Sequence, residues 1–547
     1  MNFKKYRPYP KVNLPNRKWV NNTIEKAPIW CSVDLRDGNQ ALESPMTLEQ
    51  KVDFFKYLIK IGFKEIEIGF PAASDTEFQF TRHIIENNLI PDDVTIQVLT
   101  QSREHIINKT FEAIAGCKNA IVHLYNSTST LQRDVVFNFS MEQTIALAVS
   151  GAKQLVELSK TCENSNISFE YSPESFTGTE LDFALELLNS IIEVFNPSEK
   201  NKLIINLPAT VEMSTPNVYA DQIEYICENI NSRENLIISL HTHNDRGTGV
   251  AASELGILAG ADRIEGTLFG NGERTGNADI MTLGMNLYTQ GIDPKLDFSH
   301  IDDMVEIYER MTLLPVHERH PYAGKLVFTA FSGSHQDAIN KGLQSLKDKE
   351  TLWEVPYLPL DPYDVGRTYD PIIRINSQSG KGGVAYVLEK HFNLVIPKVM
   401  QQHFSSIVTK VSDDKTKVLD FKELYNLFEK EYINFNVPIE LLKYKEVNDE
   451  VTTLTSYIIY NGSSATIEGV GNGVVEALCD SLAKFTGKNF NVKQYSQHAL
   501  EVGSKSKAIT YIEIEHNGKS YFGAGISSNI TKSSLFAVIS ALNYTFK

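Results

Sequence analysis

"DLRDGNQAL", residues 34–42, closes the first stretch that reads as a β-strand, and what it lacks decides the fold. An open doubly wound sheet that binds a dinucleotide follows its first strand with a glycine-rich phosphate loop. This turn holds one glycine, Gly38, among charged and amide residues, and lacks that spacing. The strand before it is APIWCSVDL, and seven more follow: KEIEIGF (64–70), VTIQVLT (94–100), NAIVHLYNS (119–127), NISFEYS (166–172), KLIINLP (202–208), LIISLHTH (236–243) and ADRIEGTLFG (261–270). Amphipathic stretches such as TLEQKVDFFKYLIKIG and MEQTIALAVSGAKQLVELSKTC lie between them. Repeated βα units imply a parallel sheet. Eight of them in about 300 residues predict a closed (β/α)8 TIM barrel, an α/β fold.

Past about residue 325 the alternation breaks. TAFSGSHQDAINKG reads as a helix entered through a Gly-Ser loop, WEVPYLPLDPYDVGR as a proline-rich loop, and the chain to about residue 447 as further helix. The last hundred residues carry an internal repeat. TSYIIYNGSSATIEGVGNGVVEALCDSLAKF and ITYIEIEHNGKSYFGAGISSNITKSSLFAVISAL share one plan: strand, Asn-Gly turn, strand, glycine-rich corner, helix. Asn461-Gly462 and Asn517-Gly518 are hairpin signals. The expected order is an N-terminal arm (1–27), a barrel (28–324), a helical linker region (325–446) and an α+β domain of two ββα repeats (447–547).

The chain has 547 residues, 42% hydrophobic and 22% charged, which suits a water-soluble protein of several domains. A formal net charge of −16 argues against nucleic-acid or anionic-membrane partners. An anionic substrate therefore needs local positive charge. Five scattered cysteines (31, 117, 162, 227 and 479) form no CxxC pair and suit free thiols in a reducing compartment. The basic N-terminus has no continuous apolar stretch for a signal peptide, and its prolines spoil an amphipathic transit helix. No apolar run is long enough to span a membrane. The expected location is the cytoplasm.

On a strand, residues i and i+2 share a face with Cα atoms about 6.5 Å apart. His241 and His243 then aim together at the C-terminal end of strand seven, the catalytic end of such a barrel. Two converging imidazoles suit a divalent cation. Asp37 offers a carboxylate at the same end of strand one, and Asn277, Asn271 or Glu273 offers a fourth ligand after strand eight. Nitrogen and oxygen donors without thiolate point to a catalytic rather than a structural metal. A lone His-x-His on a strand is more often surface or hydrogen-bonded core; the matching position of Asp37 reverses that balance. Arg36 reads either as a surface charge or as the cation a dianionic substrate requires. Glu174 reads as a helix cap or a base, Thr210 as a turn residue or a contact, and His123 as a contact or packed wall. GKGG at 380–383 is more simply a loop than a phosphate cradle.

DLRDGNQAL, SPESF, LPATVE, HTHNDRGTGVAASELGILAGADRIEGTLFGNGERTGNAD, SGSHQDAI and VGRTYDPIIRINSQSGKGG together resemble the 2-isopropylmalate synthases in their longer form, as does the opening YRPYPKVNLPNRKW. The resemblance spans nearly the whole chain and is looser beyond about residue 447. It implies condensation of acetyl-CoA with 3-methyl-2-oxobutanoate, with feedback inhibition by leucine through the C-terminal repeat, in a homodimer. It carries over Asp37, His241, His243 and Asn277 as metal ligands, and Arg36, Glu174 and Thr210 as contacts to the 2-oxoacid. It also carries over His335 and Tyr369 as helper groups supplied from the linker region across a swapped dimer. The implied cofactor is Mg, Mn or Zn, with a monovalent cation as a further activator. Ala338, in QDAIN, departs from relatives that have glycine there. The rival readings are citramalate or homocitrate synthesis, a metal-dependent lyase on a similar barrel, and a non-catalytic amino-acid sensor.

Overall fold

A computed structural model describes residues 5, 9–162, 164–330, 333–347, 349, 351–369, 381–415, 419, 421–501, 503 and 506–547. The chain forms two compact units, Met1–Val327 with Pro362–Thr368, and Phe328–Asp361 with Tyr369–Lys547.

In the first unit eight parallel strands close into a barrel in sequence order: β1 Ile29–Ser32, β2 Glu65–Gly69, β3 Thr95–Gln101, β4 Asn119–Ser127, β5 Asn166–Glu174, β6 Leu203–Ala209, β7 Leu236–Thr242 and β8 Arg263–Gly266. β1 pairs with both β2 and β8, which completes the ring. The connecting helices are α1 Leu48–Ile61, α2 Asp75–Glu86, α3 Glu104–Ile114, α4 Met141–Ser159, α5 Leu181–Phe195, α6 Pro216–Asn229, α7 Gly249–Leu258 and α8 Ile280–Tyr288, with α9 Ile301–Thr312 beyond. Local chemistry sets the ends of α1. Thr47 and Gln50 form a reciprocal capping box, and Gly62 ends the helix at φ +117. Phe54, Phe55 and Leu58 of α1 are fully buried, as are Ile66 and Ile68 of β2. Each such side chain contributes about 1.5–3 kcal/mol by leaving water.

The N-terminal arm docks on α6. Arg17 grips Asp221 through Nε and Nη2 at 2.6 and 2.7 Å, and the Trp19 indole donates to the same carboxylate at 2.9 Å.

The second unit holds α10 Gly333–Leu346, α11 Lys381–Phe392, α12 Lys398–Lys415 and α13 Phe421–Tyr432. It then holds β9 Ile439–Asn448, β10 Thr452–Tyr460, β11 Ser463–Gly471, α14 Val474–Thr486, β12 Asn491–Ala499, β13 Ala508–His516, β14 Lys519–Ser527 and α15 Ile530–Asn543. Two corrections follow. The helical reading to about 447 stops at Tyr432, because Ile439–Asn448 is a strand. Each ββα repeat also gains a leading strand, β9 or β12, giving two three-stranded sheets in the orders β11-β10-β9 and β12-β13-β14. The Asn-Gly pairs turn as expected, with φ values of 47 and 82 at 461–462 and 52 and 74 at 517–518. The glycine-rich corners bring helix against sheet: a Cβ at Gly469 would strike the Ala477 carbonyl, and one at Gly525 the Ser533 carbonyl.

Candidate active site

Several strands of the barrel point polar residues inward, and these build the site from its floor. Arg263, fully buried on β8, binds Glu65 at 2.6 Å, Glu265 at 2.7 Å and Glu170 at 3.2 Å. It also donates to Gln97 at 2.7 Å and to the Ser239 hydroxyl at 2.9 Å. Burial, then the charge of Glu265, pushes the Glu170 carboxyl well above the usual range. Burial pushes Glu265 the same way, but Arg263 and then His241 outweigh it and hold it well below.

One layer up, His241 Nδ1 lies 2.7 Å from Glu265 and its Nε2 3.2 Å from Asp37 Oδ2. His243 Nε2 approaches the same oxygen at 3.7 Å. The ligating atoms of the three side chains lie within 4.8 Å of one another, and all three residues are buried. Burial disfavours the His241 imidazolium, yet Asp37 and Glu265 outweigh it and raise the group to about 9. Burial and then the charge on His241 pull His243 down to about 4, so it is a neutral imidazole at physiological pH. Asp37 is pushed up by burial, but Arg36 and the two imidazoles hold it below the ordinary carboxylate range.

The turn after β8 seats Asn277 against this group. Gly276 sits at φ +96, where a Cβ would strike the Gly270 carbonyl, so the chain folds back closely enough for Asn277 to bridge to His243. Asn277 Nδ2 donates to the Asn271 carbonyl at 3.1 Å, while its buried Oδ1 has no hydrogen-bond partner among the described residues. One carboxylate, two imidazoles and that orphaned amide oxygen fit a divalent cation with open positions. Asn271 instead ties the turns together by donating to the Gly38 carbonyl at 3.0 Å. A second group of possible ligands, His123, Glu170 and Glu265, is neutralised by Arg263 rather than left for an ion.

These side chains open into a cavity of about 310 Å³ lined by Arg36, Asp37, Leu99, His123, Tyr125, Ser172, Glu174, Pro208, Thr210, His241, His243, Glu273 and Arg274 among others. Arg36 is held by Glu67 at 2.5 Å through Nε and by Asp37 at 2.7 Å through Nη1. Burial opposes its charge, but the carboxylates keep it cationic. Glu174 accepts a short hydrogen bond from the Ser127 hydroxyl. The Thr210 hydroxyl accepts from the Ser175 amide at 2.9 Å. Both nitrogens of His123 are engaged, by Glu67 at 2.8 Å and Ser172 at 2.7 Å, so it lines the cavity as a wired wall.

His335 and Tyr369 belong to the second unit. His335 is exposed in the first turn of α10. Of the glycine cluster at 380–383, residue 380 lies outside the described residues and 381–383 open α11. Sequence reasoning missed Glu67, Gln97, Glu170, Asn206, Arg263 and Glu265. Their signal was available: each is a charged or amide residue within a barrel strand, two positions from another inward-facing one.

A family described as HMGL-like matches residues 27–307. A second, described as alpha-isopropylmalate synthase, post-catalytic domain-like, matches 325–389, and a LeuA allosteric (dimerisation) domain matches 419–546. The chain is 59% identical to a 2-isopropylmalate synthase of Acetoanaerobium sticklandii, over 99% of this chain and 97% of the relative. The chain belongs to the 2-isopropylmalate synthase family. A synthase of Clostridium acetobutylicum is 57% identical over 99% of both chains, and one of Agrobacterium fabrum 51% identical over 98% of both. The family thus spans both units, barrel and C-terminal repeat alike. Among the described residues no helix is long and apolar enough to cross a membrane.

Proposed function

We propose that the chain condenses acetyl-CoA with 3-methyl-2-oxobutanoate and water to give (2S)-2-isopropylmalate and free CoA, the first committed step of leucine synthesis. The observation that carries this reading is the convergence of Asp37, His241 and His243 beside the Arg36 guanidinium in one cavity. A divalent cation, Mg, Mn or Zn, held by these three residues with Asn277, would polarise the keto carbonyl of a chelating 2-oxoacid.

The protein's own groups do the rest. Arg36 spends Nε and Nη1 on carboxylates, and its Nη2, without a hydrogen-bond partner among the described residues, is open to the substrate's carboxylate or developing alkoxide. Thr210 presents a hydroxyl that accepts from a backbone amide and keeps its own proton to donate. Leu99 and Pro208 give the cavity an apolar wall suited to a branched side chain. Arg274, the other cation of the lining, is committed to Asp245 at 2.6 Å and to the Thr210 carbonyl at 2.6 Å. That leaves little to hold the second carboxylate of 2-oxoglutarate, which disfavours homocitrate synthesis.

A base removes a proton from the acetyl methyl, the carbanion adds to the keto carbon, and water then cleaves the thioester. His335 is the preferred base or relay and Glu174 the second, with Tyr369 as a helper. As the resemblance implies, His335 and Tyr369 serve the site across a swapped homodimer. The exposed apolar run of Leu131, Val135, Val136, Phe137 and Phe139 suits burial in such an assembly. Leucine inhibits through the C-terminal repeat, a monovalent cation activates, and the enzyme works in the cytoplasm. The test is a panel of 2-oxoacids with a free-thiol readout, with and without leucine. CoA is released fastest with 3-methyl-2-oxobutanoate and more slowly when leucine is present. No release with any short 2-oxoacid refutes the assignment.

A further inference from the structure

His335 stands in the first turn of α10, exposed, and among the described residues no hydrogen bond reaches either of its ring nitrogens. One contact orients it. The ring of Tyr357 lies over the imidazole with centroids 4.0 Å apart and planes 27° from parallel. A face-to-face stack fixes a ring plane while leaving every in-plane nitrogen open. A proton relay needs both properties, because it takes a proton on one nitrogen and can pass one from the other.

Tyr357 itself has an unusual backbone for an exposed residue. Its φ is +65, a conformation that bulky side chains rarely adopt. Such a backbone persists only where its surroundings over-determine it, and it concentrates at functional sites. Here the surroundings are a tight turn. Leu358 N donates to the Val355 carbonyl at 3.2 Å, and the Trp353 indole donates to the Leu358 carbonyl at 2.8 Å. Val355, Leu358 and Leu360 are buried beneath it. The turn also seats directly on α10: a Cβ at Gly342 would come within 2.6 Å of Pro356 Cδ. Gly342 is seven residues from His335, two helical turns along one face. The helix that carries the imidazole therefore also carries the platform for the ring that covers it.

We propose that Tyr357 is a positioning residue for this reaction, a strained aromatic shelf that fixes the plane of the His335 imidazole and leaves both its nitrogens free to move protons. The inference rests on His335 acting as the base or relay. It assigns Tyr357 no contact with substrate. The phenol hydroxyl is not needed, only the ring face.

The experiment compares full-length Tyr357→Leu, Tyr357→Gly, Tyr357→Phe, His335→Gln and the double variant His335→Gln with Tyr357→Leu, by steady-state CoA release across pH. Tyr357→Leu lowers kcat by about 10- to 100-fold, the cost of a misplaced catalytic group, with KM for both substrates little changed. It also alters the pH profile of kcat, since a displaced relay no longer passes protons along the same route. Tyr357→Phe recovers most of the rate. Tyr357→Gly relieves the positive φ, so its melting temperature holds or rises while kcat falls as in the leucine variant. In the His335→Gln background the leucine change has no further effect. Loss of kcat in Tyr357→Gly only alongside a lowered melting temperature, or additive losses in the double variant, overturns the proposal. So does an unchanged kcat and pH profile in Tyr357→Leu while His335→Gln is impaired. Full kcat in His335→Gln removes instead the role of His335 itself, and the shelf falls with it.

Discussion

Replacing Glu265 by glutamine exchanges one oxygen for an amide NH2 in a space that otherwise stays filled, and it asks how His241 is readied for a metal. Glu265 Oε1 accepts from Arg263 at 2.7 Å and Gln97 at 3.1 Å; Oε2 faces His241 Nδ1 at 2.7 Å and Asn206 Nδ2 at 3.2 Å. The amide oxygen of the variant stays with Arg263, the stronger donor, so the NH2 turns to His241. The imidazole then accepts at Nδ1 and carries its proton on Nε2, the nitrogen that faces Asp37 and must offer a lone pair. Loss of such a supporting carboxylate costs about 10- to 100-fold in metal affinity, about 1.4 to 2.7 kcal/mol. The fold suffers less than an orphaned buried arginine suggests, which costs about 3–5 kcal/mol. Arg263 keeps Glu65 at 2.6 Å, and the repulsion between Glu265 and Glu170 is relieved. The expected loss of stability is about 1–2 kcal/mol. Calorimetric titration of metal into chelator-stripped protein, with a denaturant melt alongside, measures both terms. A folded variant with the parent's metal Kd refutes the reasoning.

Removing metal with a chelator abolishes CoA release, and adding back Mg, Mn or Zn restores it, whereas the His243→Ala variant is restored only at far higher metal; full activity after stripping counts against the Asp37, His241 and His243 site. Leu99→Ala removes an apolar wall, so kcat/KM for 3-methyl-2-oxobutanoate falls by about 10- to 100-fold while that for pyruvate changes little; equal losses for both show that Leu99 does not touch the branched group. Burial pushes the Asp34 carboxyl from 3.8 up to about 7, so the folded chain holds this proton more tightly than the unfolded one. The contribution of Asp34 is therefore full below pH 4 and is lost as pH rises to about 7, up to about 4 kcal/mol. Asp34→Asn removes that slope from the pH dependence of unfolding, and an unaltered slope contradicts the assigned burial cost.

Much of the barrel was legible because its signals are local. Each strand is a short apolar run that ends in turn residues, and helices such as α1 and α4 announce themselves with Thr-x-x-Gln and Ser-x-x-Gln boxes. The pairing of His241 with His243 followed from strand period alone. The leading strands of the C-terminal repeats were not legible, since β12 is exposed along most of its length and β9 alternates only at its start. An edge strand without a buried face leaves no period to read.

Sequence by itself determined which residues could reach one face of a strand, where capped helices such as α1 and α4 start, and that two halves of the C-terminal region share one plan. Only closure of the barrel decided that Asp37 meets residues more than two hundred positions away and that Arg263 gathers three glutamates, and only the packing of a turn on α10 laid Tyr357 over His335. Propensity and period act over a few residues of chain, whereas distances between side chains on different elements are set by packing, which no local pattern encodes.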